Sequence, residues 1–121
     1  MEGILGLAEV LFFVENVQEA KVWMIKLLEK DPYFDHEGYC AFRLGAITVG
    51  LHPVDSKTAS GVAGQVAYWH VKDIHACIQH FESHGCHLYR GPIFGVDQVW
   101  VCQMKDPFGN VWGLIEKPEL D

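Results

Sequence analysis

Two stretches of this chain repeat in the same order, and this repeat constrains the fold more than any other feature. Residues 48–51 (TVGL) lie 63 positions before residues 111–114 (VWGL). Residues 14–20 (VENVQEA) lie 57 positions before residues 71–77 (VKDIHAC). In each of these two seven-residue stretches, a valine that ends a strand is followed by a capping Asn or Asp and then by the start of a helix. Agreement at both ends of the unit predicts two copies of one structure of about 60 residues.

The clearest single element is a β-hairpin over residues 105–116. Asp106 suits the first position of a type I turn and Pro107 the second, where the fixed φ of proline is already correct. Gly109 can adopt the positive φ that closes the turn. Apolar runs on both sides, 99–102 and 111–115, supply the two strands.

Each copy is predicted to contain a strand, a helix and three further strands. The first strand runs from Gly6 to Val14, Asn16 and Glu19 form an N-terminal capping box, and the first helix continues to about Glu29. In the second copy Asp73 caps the helix and Gly85 ends it. The other predicted strands are 33–36, 39–44, 46–52, 65–71, 86–89, 99–105 and 111–116, and residues 91–95 are predicted to form a loop or an irregular strand edge.

Composition limits the class of protein. With 121 residues, half of them hydrophobic, the chain is expected to form one compact domain. A formal charge of −7 disfavours nucleic acid and anionic membranes as partners, because both require clustered Lys and Arg. The four cysteines show no C-x-x-C spacing and lie among apolar residues, so we expect reduced thiols in a cytoplasmic protein. No apolar run is long enough to span a membrane, and no signal peptide is expected.

The repeated βαβββ unit and the DPFGNVWGL ending closely resemble the vicinal oxygen chelate superfamily, which includes glyoxalase I, bleomycin-resistance proteins and extradiol dioxygenases. The resemblance covers about residues 5–117. It implies an α+β fold in which two modules, each a curved mixed sheet with one outer helix, enclose a cavity. Module 1 is expected at about 5–53, a linker at 54–64 and module 2 at about 65–117. The resemblance also implies a homodimer, with or without exchange of modules across the linker.

The resemblance also identifies four inward-facing positions from which metal-using members take their ligands. These positions hold Glu9, Gly50, Val66 and Gly113. A catalytic metal needs three or four N or O donors, and only Glu9 has one, so we expect no metal and no cofactor. A displaced site made of Glu9, His52 and His70 remains an alternative. Against this alternative, His70 lies four residues beyond Val66, and a shift of four residues moves a side chain roughly 13 Å along a strand.

The two glycines are expected to leave space in an apolar pocket suited to a small organic ligand. Trp69 and Trp112 have the parity of the helix-facing core, and Trp100 and Met104 are compatible with either face. The predicted ligand-binding residues are Glu9, Leu11, Phe13, Thr48, Gly50, His52, Val66, Tyr68, His70, Trp100 and Gly113.

Glu9 is the most informative of these residues, because a carboxylate among Leu7, Leu11 and Phe13 requires protonation or a cationic partner. That partner is either inside the protein, such as Arg43 or a histidine, or it is a ligand ammonium or guanidinium group. The sequence therefore predicts a metal-free protein that sequesters a hydrophobic, aromatic organic cation. In this it resembles bleomycin-resistance proteins, which sequester a cationic drug and so provide antibiotic resistance. The alternative is a glyoxalase-like lyase or isomerase, or a dioxygenase-related enzyme, with a rearranged metal site or with Glu9 as the general base.

Overall fold

The computed structural model describes residues 7–63, 65–95 and 98–117. The chain divides into two compact units, with the boundary between Ser60 and Gly61. This boundary lies inside the predicted linker. The unit that ends at Ser60 is called module 1 and the unit that begins at Gly61 is called module 2; each is described by itself.

Module 1 contains four strands and one helix. In chain order they are β1 (Glu9–Val14), α1 (Val17–Leu28), β2 (Phe34–His36), β3 (Tyr39–Leu44) and β4 (Ile47–Pro53). The strand order across the sheet is β1-β4-β3-β2. β1 pairs with β4 in parallel, and β2, β3 and β4 form an antiparallel meander.

Module 2 repeats this arrangement. Its elements are β5 (Tyr68–His70), α2 (Ile74–Ser83), β6 (His87–Phe94), β7 (Trp100–Lys105) and β8 (Val111–Glu116). The sheet order is β5-β8-β7-β6, with β5 parallel to β8 and the other pairs antiparallel. The predicted α+β fold with two βαβββ units is confirmed.

The structure tests three of the strand predictions most directly. β1 begins at Glu9, whereas the predicted start, Gly6, lies outside the described residues. β5 covers only three of the seven residues predicted for it. Residues 91–94 belong to β6, the edge strand of its sheet, so of the two predictions for this segment the irregular strand edge is confirmed and the loop is wrong. The pairing of β6 with β7 shifts register twice, so the alternation expected of a strand is interrupted there.

Both helices begin as their capping residues predict. Asn16 Oδ1 accepts a hydrogen bond from the backbone N–H of Glu19 at 3.0 Å, and Asp73 Oδ1 accepts one from Ala76 at 3.1 Å. Glu116, at the end of β8, accepts a further bond from the N–H of Ile74 at 2.8 Å. The first N–H groups of a helix have no partner within the helix. The bond from Ile74 to Glu116 satisfies one of them and joins α2 to the end of its own sheet.

Each helix covers one face of its sheet with a compact apolar core. In module 1 the core includes Phe12, Val14, Met24, Phe42 and Leu51; in module 2 it includes Ile74, Phe81, Met104, Trp112 and Leu114. Successive strand residues point to opposite faces, so the residues between these core positions lie on the other face of each sheet. That face is called the inner face below.

The hairpin between β7 and β8 is organised by Asp106, which is only 5% exposed. One carboxylate oxygen accepts from the N–H groups of Phe108 and Asn110, both at 2.9 Å, and the other accepts from the Trp112 indole at 3.1 Å. The N–H of Gly109 bonds the Asp106 carbonyl oxygen, with Gly109 at φ +89°. The predicted turn is therefore also attached to the module 2 core.

All four cysteines are free thiols, and Cys40, Cys86 and Cys102 are buried. Burial raises the pKa of Cys86 to about 12 and those of Cys40 and Cys102 to about 11. Because thiolates are the reactive form, these cysteines act as small core residues. Among the described residues, no helix has the length and apolar character needed to cross a membrane.

Candidate functional site

Three neighbouring strands build the inner face of module 1, and their register sets the position of each side chain. Glu9 of β1 pairs with Thr48 of β4, Leu11 pairs with Gly50, and Phe13 pairs with His52. On the other side of β4, Arg43 pairs with Thr48 and Ala41 pairs with Gly50. Six of the predicted ligand-binding residues therefore lie together on one sheet face: Glu9, Leu11, Phe13, Thr48, Gly50 and His52.

The polar centre of this face is a hydrogen bond between Tyr39 and Glu9. Tyr39 Oη donates to Glu9 Oε2 at 2.6 Å, although β4 lies between the strands that carry them. Burial and this bond with Glu9 raise the pKa of Tyr39 to about 12. Tyr39 therefore keeps its proton at neutral pH and orients the Glu9 carboxylate.

Gly50 makes this contact possible, because a side chain there would occupy the same space. A Cβ added at Gly50 would overlap Glu9 Oε2 and would lie 2.8 Å from Leu11 Cδ1 and 3.0 Å from Tyr39 Cε1. The expectation that Gly50 leaves open space is therefore wrong. Neighbouring side chains already fill the position.

Glu9 differs in two respects from the prediction made for it. It is exposed, and Leu11 beside it is 39% exposed, so the expected burial of the carboxylate is not observed. Neither Arg43 nor a histidine is its internal partner. Its hydrogen bond comes from Tyr39, and within the described residues no Lys, Arg or His forms an ion pair with it.

Arg43 instead places its guanidinium carbon 4.8 Å from the centre of the Tyr33 ring. The Tyr33 hydroxyl lies 3.0 Å from Thr48 Oγ1, which puts this pair beside the Glu9 row of the inner face. A cation stacked on an aromatic ring is thus already part of this surface.

His52 lies at the far end of the same face. Its Nδ1 is 2.7 Å from the carbonyl oxygen of Pro53, and a carbonyl only accepts, so Nδ1 carries the proton. The ring lies 5.0 Å from that of Phe13, centre to centre. His52 is therefore a half-buried side chain held by its own strand and by an aromatic neighbour.

The inner face of module 2 has a related arrangement with different chemistry. Tyr68 of β5 pairs with Gly113 of β8, and Gln103 of β7 pairs with Gly113 from the other side. Gln103 Nε2 donates to Tyr68 Oη at 2.9 Å. A Cβ at Gly113 would lie 2.7 Å from Tyr68 Cδ1, so Gly113, too, does not leave open space as expected. Val66 and His70 flank Tyr68 along the chain.

Trp100 lies away from this inner face. It pairs with Glu116 across β7 and β8 and contacts the ring of His75, on α2, at 4.9 Å. Met104 is buried and pairs with Trp112 in the core. Both residues therefore face α2, and the placement of Trp100 does not support its predicted role as a ligand contact.

Tyr39 and Gln103 are the site residues that the sequence reasoning missed. Each lies an odd number of residues from a buried core residue of its own strand, namely Cys40 and Cys102. This parity was readable from the sequence. The strand register was needed to show that each of these side chains meets a residue that lies beside a glycine within a strand.

Solved structures with other sequences share this architecture. A glyoxalase-related enzyme from Fulvimarina pelagi aligns with a TM-score of 0.79 and 11% identity, over 95% of this chain and 90% of that one. A glyoxalase/bleomycin resistance protein from Catenulispora acidiphila gives a TM-score of 0.71 and 20% identity, over 93% and 100%. Lactoylglutathione lyase from Agrobacterium tumefaciens gives 0.72 and 13%, over 93% and 94%.

This chain has the glyoxalase/bleomycin-resistance fold. The resemblance to the vicinal oxygen chelate superfamily is thereby confirmed at the level of the fold. No protein-family model and no curated protein sequence matches the chain. Identities of this size establish a shared architecture, and a shared fold does not determine the chemistry of a site.

In this glyoxalase/bleomycin-resistance fold, the four positions associated with metal ligands do not fit a metal ion. Glu9 is one oxygen donor, and the side chains of Gly50, Val66 and Gly113 supply none. The described residues also bring no three His, Cys, Asp or Glu side chains together at a spacing that suits a metal ion. A stable metal site needs three or four donors, and these residues supply fewer than that.

Proposed function

We propose that this protein binds a small organic cation on the inner face of module 1, with the Glu9 carboxylate opposite the positive charge. The observation that carries the proposal is the 2.6 Å hydrogen bond from Tyr39 to Glu9. It orients an exposed carboxylate that has no cationic partner among the described residues. A fixed carboxylate without a counter-charge favours a cation.

Aromatic rings beside Glu9 support the same class of ligand. The Phe34 and Tyr39 rings lie 5.8 Å apart and are tilted to one another, so that they offer a ring face next to the carboxylate. Arg43 over Tyr33 shows that this surface accommodates a cation–aromatic contact. Exposed Leu11 adds apolar area that suits the hydrocarbon part of such a molecule.

Binding without a resident metal, similar to the role of bleomycin-resistance proteins, is the function that this donor set favours. Tyr39 retains its proton while it donates to one oxygen of Glu9, so the phenol does not act as a base, and the exposed carboxylate is oriented to face a cation. Elemental analysis should find no stoichiometric Zn, Ni, Mn or Fe. One equivalent of tightly bound transition metal would contradict the metal-free part of the proposal.

The binding test compares three aromatic probes of similar size: benzyltrimethylammonium, benzyl alcohol and benzoate. Titrations followed by amide NMR shifts should show that the cation binds best and that it perturbs β1 and β4. Glu9→Gln should weaken its binding roughly two- to fivefold, because the attraction between the exposed carboxylate and the quaternary ammonium is lost while the contact with the aromatic rings remains. Glu37→Gln, which changes an exposed carboxylate in the β2–β3 turn, is the matched control and should have little effect.

Two outcomes would overturn the proposal: benzoate binding best, or unchanged cation affinity in Glu9→Gln. The enzyme alternative is tested separately, since lactoylglutathione lyase shares the fold. Turnover of a hemithioacetal substrate by the wild type that is abolished by Glu9→Gln would assign Glu9 a catalytic role instead.

A further inference from the structure

The inner faces of the two modules contain tyrosine hydrogen bonds of opposite direction. The Tyr39 hydroxyl donates a hydrogen bond to Glu9. The Tyr68 hydroxyl accepts a hydrogen bond from the Gln103 amide. A phenolic hydroxyl has one proton to donate and lone pairs to accept with, so the first tyrosine has used its proton and the second has not.

No acceptor for the Tyr68 proton is present among the described residues. The bond from Gln103 Nε2, at 2.9 Å, is the only hydrogen bond that its hydroxyl forms there. The side chain is nevertheless restrained, because its ring lies flat over Gly113, with Cδ1 and Cγ at 2.7 and 2.9 Å from the position that a Cβ would take. Tyr68 is 43% exposed, so an outside molecule can reach it.

Gln103 holds the hydroxyl in this state. It is buried and pairs with Gly113, which places its amide under the Tyr68 oxygen. A carboxylate at the same position would accept a hydrogen bond from the Tyr68 hydroxyl, as Glu9 accepts one from Tyr39. The amide N–H instead donates to the Tyr68 oxygen and leaves the hydroxyl free to donate elsewhere.

We propose that the inner face of module 2 binds the neutral hydrogen-bond acceptor of a small aromatic molecule, such as a ketone, ester or amide oxygen. The Tyr68 hydroxyl is the donor and Gln103 is its positioning residue. The surrounding inner-face residues Val101, Val111 and Ile115 are half-buried and apolar, which suits the hydrocarbon part of the molecule. This deepens the proposed function, since it rests on the inner faces being small-molecule surfaces and adds a second chemical requirement.

The test uses acetophenone and ethylbenzene, which are similar in shape and differ in the carbonyl oxygen. Titrations followed by NMR shifts of the β5 and β8 amides should show that wild type binds acetophenone more tightly than ethylbenzene. Tyr68→Phe should weaken acetophenone binding roughly three- to tenfold, the effect of one neutral hydrogen bond, and leave ethylbenzene unchanged. Tyr89→Phe, which alters an exposed tyrosine on β6, is the matched control.

Gln103→Glu gives a readout that a purely structural role would not produce. The introduced carboxylate should accept the Tyr68 proton, so acetophenone preference should be lost although the hydroxyl is still present. Gln103→Met, which removes the amide but leaves the Tyr68 proton available, should retain part of the preference. Equal loss in Gln103→Glu and Gln103→Met, or no loss in Tyr68→Phe, would overturn the proposal.

These outcomes are independent of the cation site. Failure of benzyltrimethylammonium to respond to Glu9→Gln would overturn the proposed function of module 1, whereas the acetophenone series reports only on Tyr68 and Gln103. If neither aromatic probe shifts any β5 or β8 amide in the wild type, the inner face of module 2 is not a small-molecule surface and this proposal is wrong.

Discussion

Tyr39 donates a hydrogen bond to Glu9 across the intervening strand β4, at the point where that strand carries Gly50. In module 2 the Tyr68 ring likewise lies over Gly113 of the intervening strand β8, and its hydroxyl meets Gln103 on the next strand. The repeated glycine thus has the same structural role in both modules. It allows a tyrosine side chain to lie flat on the sheet and to connect two strands that are not neighbours.

Replacement of these glycines should destabilise the two modules unequally. Gly113→Ala should lower the free energy of unfolding by about 2–3 kcal/mol, because overpacking against a fixed group is not easily relieved; here the new Cβ would lie 2.8 Å from the Ala67 carbonyl oxygen. Gly50→Ala should cost about 1–2 kcal/mol, since only side chains oppose it and they can move. Urea unfolding measures both.

Gly38→Ala is the control for this pair, because a Cβ there has no atom within 4 Å. Its effect should be small. A cost for Gly38→Ala that equals that of Gly113→Ala, or a larger cost for Gly50→Ala than for Gly113→Ala, would refute the explanation.

Alkaline titration should separate Tyr39 from the other tyrosines. Its pKa of about 12 lies above the usual 10.0, through burial and the bond to Glu9. The folded state therefore holds this proton where the unfolded state has lost it, and the stabilisation that Tyr39 contributes is complete below pH 10 and is lost as the pH rises through about 12. Absorbance at the phenolate band should show the late-titrating group in the wild type and not in Tyr39→Phe.

Glu9→Gln should bring the pKa of Tyr39 closer to 10.0, because the negative charge beside the phenol is removed. Glu37→Gln should leave the titration unchanged. An unaltered late phase in Glu9→Gln would show that burial alone accounts for the raised pKa.

Asp106 should be the most sensitive carboxylate of the β7–β8 hairpin. Asp106→Ala removes the carboxylate that accepts from two backbone N–H groups and from the Trp112 indole, and we expect a loss of about 3–4 kcal/mol in the free energy of unfolding. Asp106→Asn should cost about 1–3 kcal/mol, because its amide N–H would face the Trp112 N–H.

The effect of Asp106→Asn should also depend on pH. Burial raises the pKa of Asp106 above the ordinary 3.8, against the opposing effect of its hydrogen bonds. The folded protein then holds a proton that the unfolded chain loses, so the stability contributed by titration is complete below pH 3.8 and is lost as the pH rises through the raised value. The cost of Asp106→Asn should therefore shrink as the pH rises from below 3.8. Unfolding curves of both proteins at several pH values measure it, and a cost that grows over this range would contradict the assignment.

Trp69 and Trp112, whose rings lie 6.0 Å apart centre to centre, should respond differently to the same substitution. The Trp69 indole N–H is buried and has no hydrogen-bond partner among the described residues, whereas that of Trp112 donates to Asp106. Trp69→Phe should change the free energy of unfolding by less than about 1 kcal/mol, because the lost packing is offset by removal of an unsatisfied donor. Trp112→Phe should cost about 3 kcal/mol. Equal costs in urea unfolding would contradict this difference.

The sequence by itself determined the local elements and their repetition. Asn16 and Asp73 as caps, the Asp106 to Gly109 turn and the matched TVGL and VWGL endings predicted the helix starts, the hairpin and two βαβββ units, and the structure confirms them. These features depend on residues close together in the chain, so local physical chemistry is enough to infer them. The same parity argument placed Glu9, Tyr68 and the two glycines on one type of sheet face.

Tertiary structure decided the contacts between strands. Only the register of β1, β3 and β4 shows that Tyr39 meets Glu9 over Gly50, and only the pairing of β7 with β8 places Gln103 against Tyr68. Trp100 was compatible with either face until α2 supplied His75 as its neighbour. Residues 91–94 were compatible with a loop or an irregular strand edge, and pairing with β7 decided for the strand. Alternation along a strand assigns each side chain to one face of the sheet. How far a side chain can reach across that face depends on the space that the residues of the neighbouring strands leave unoccupied.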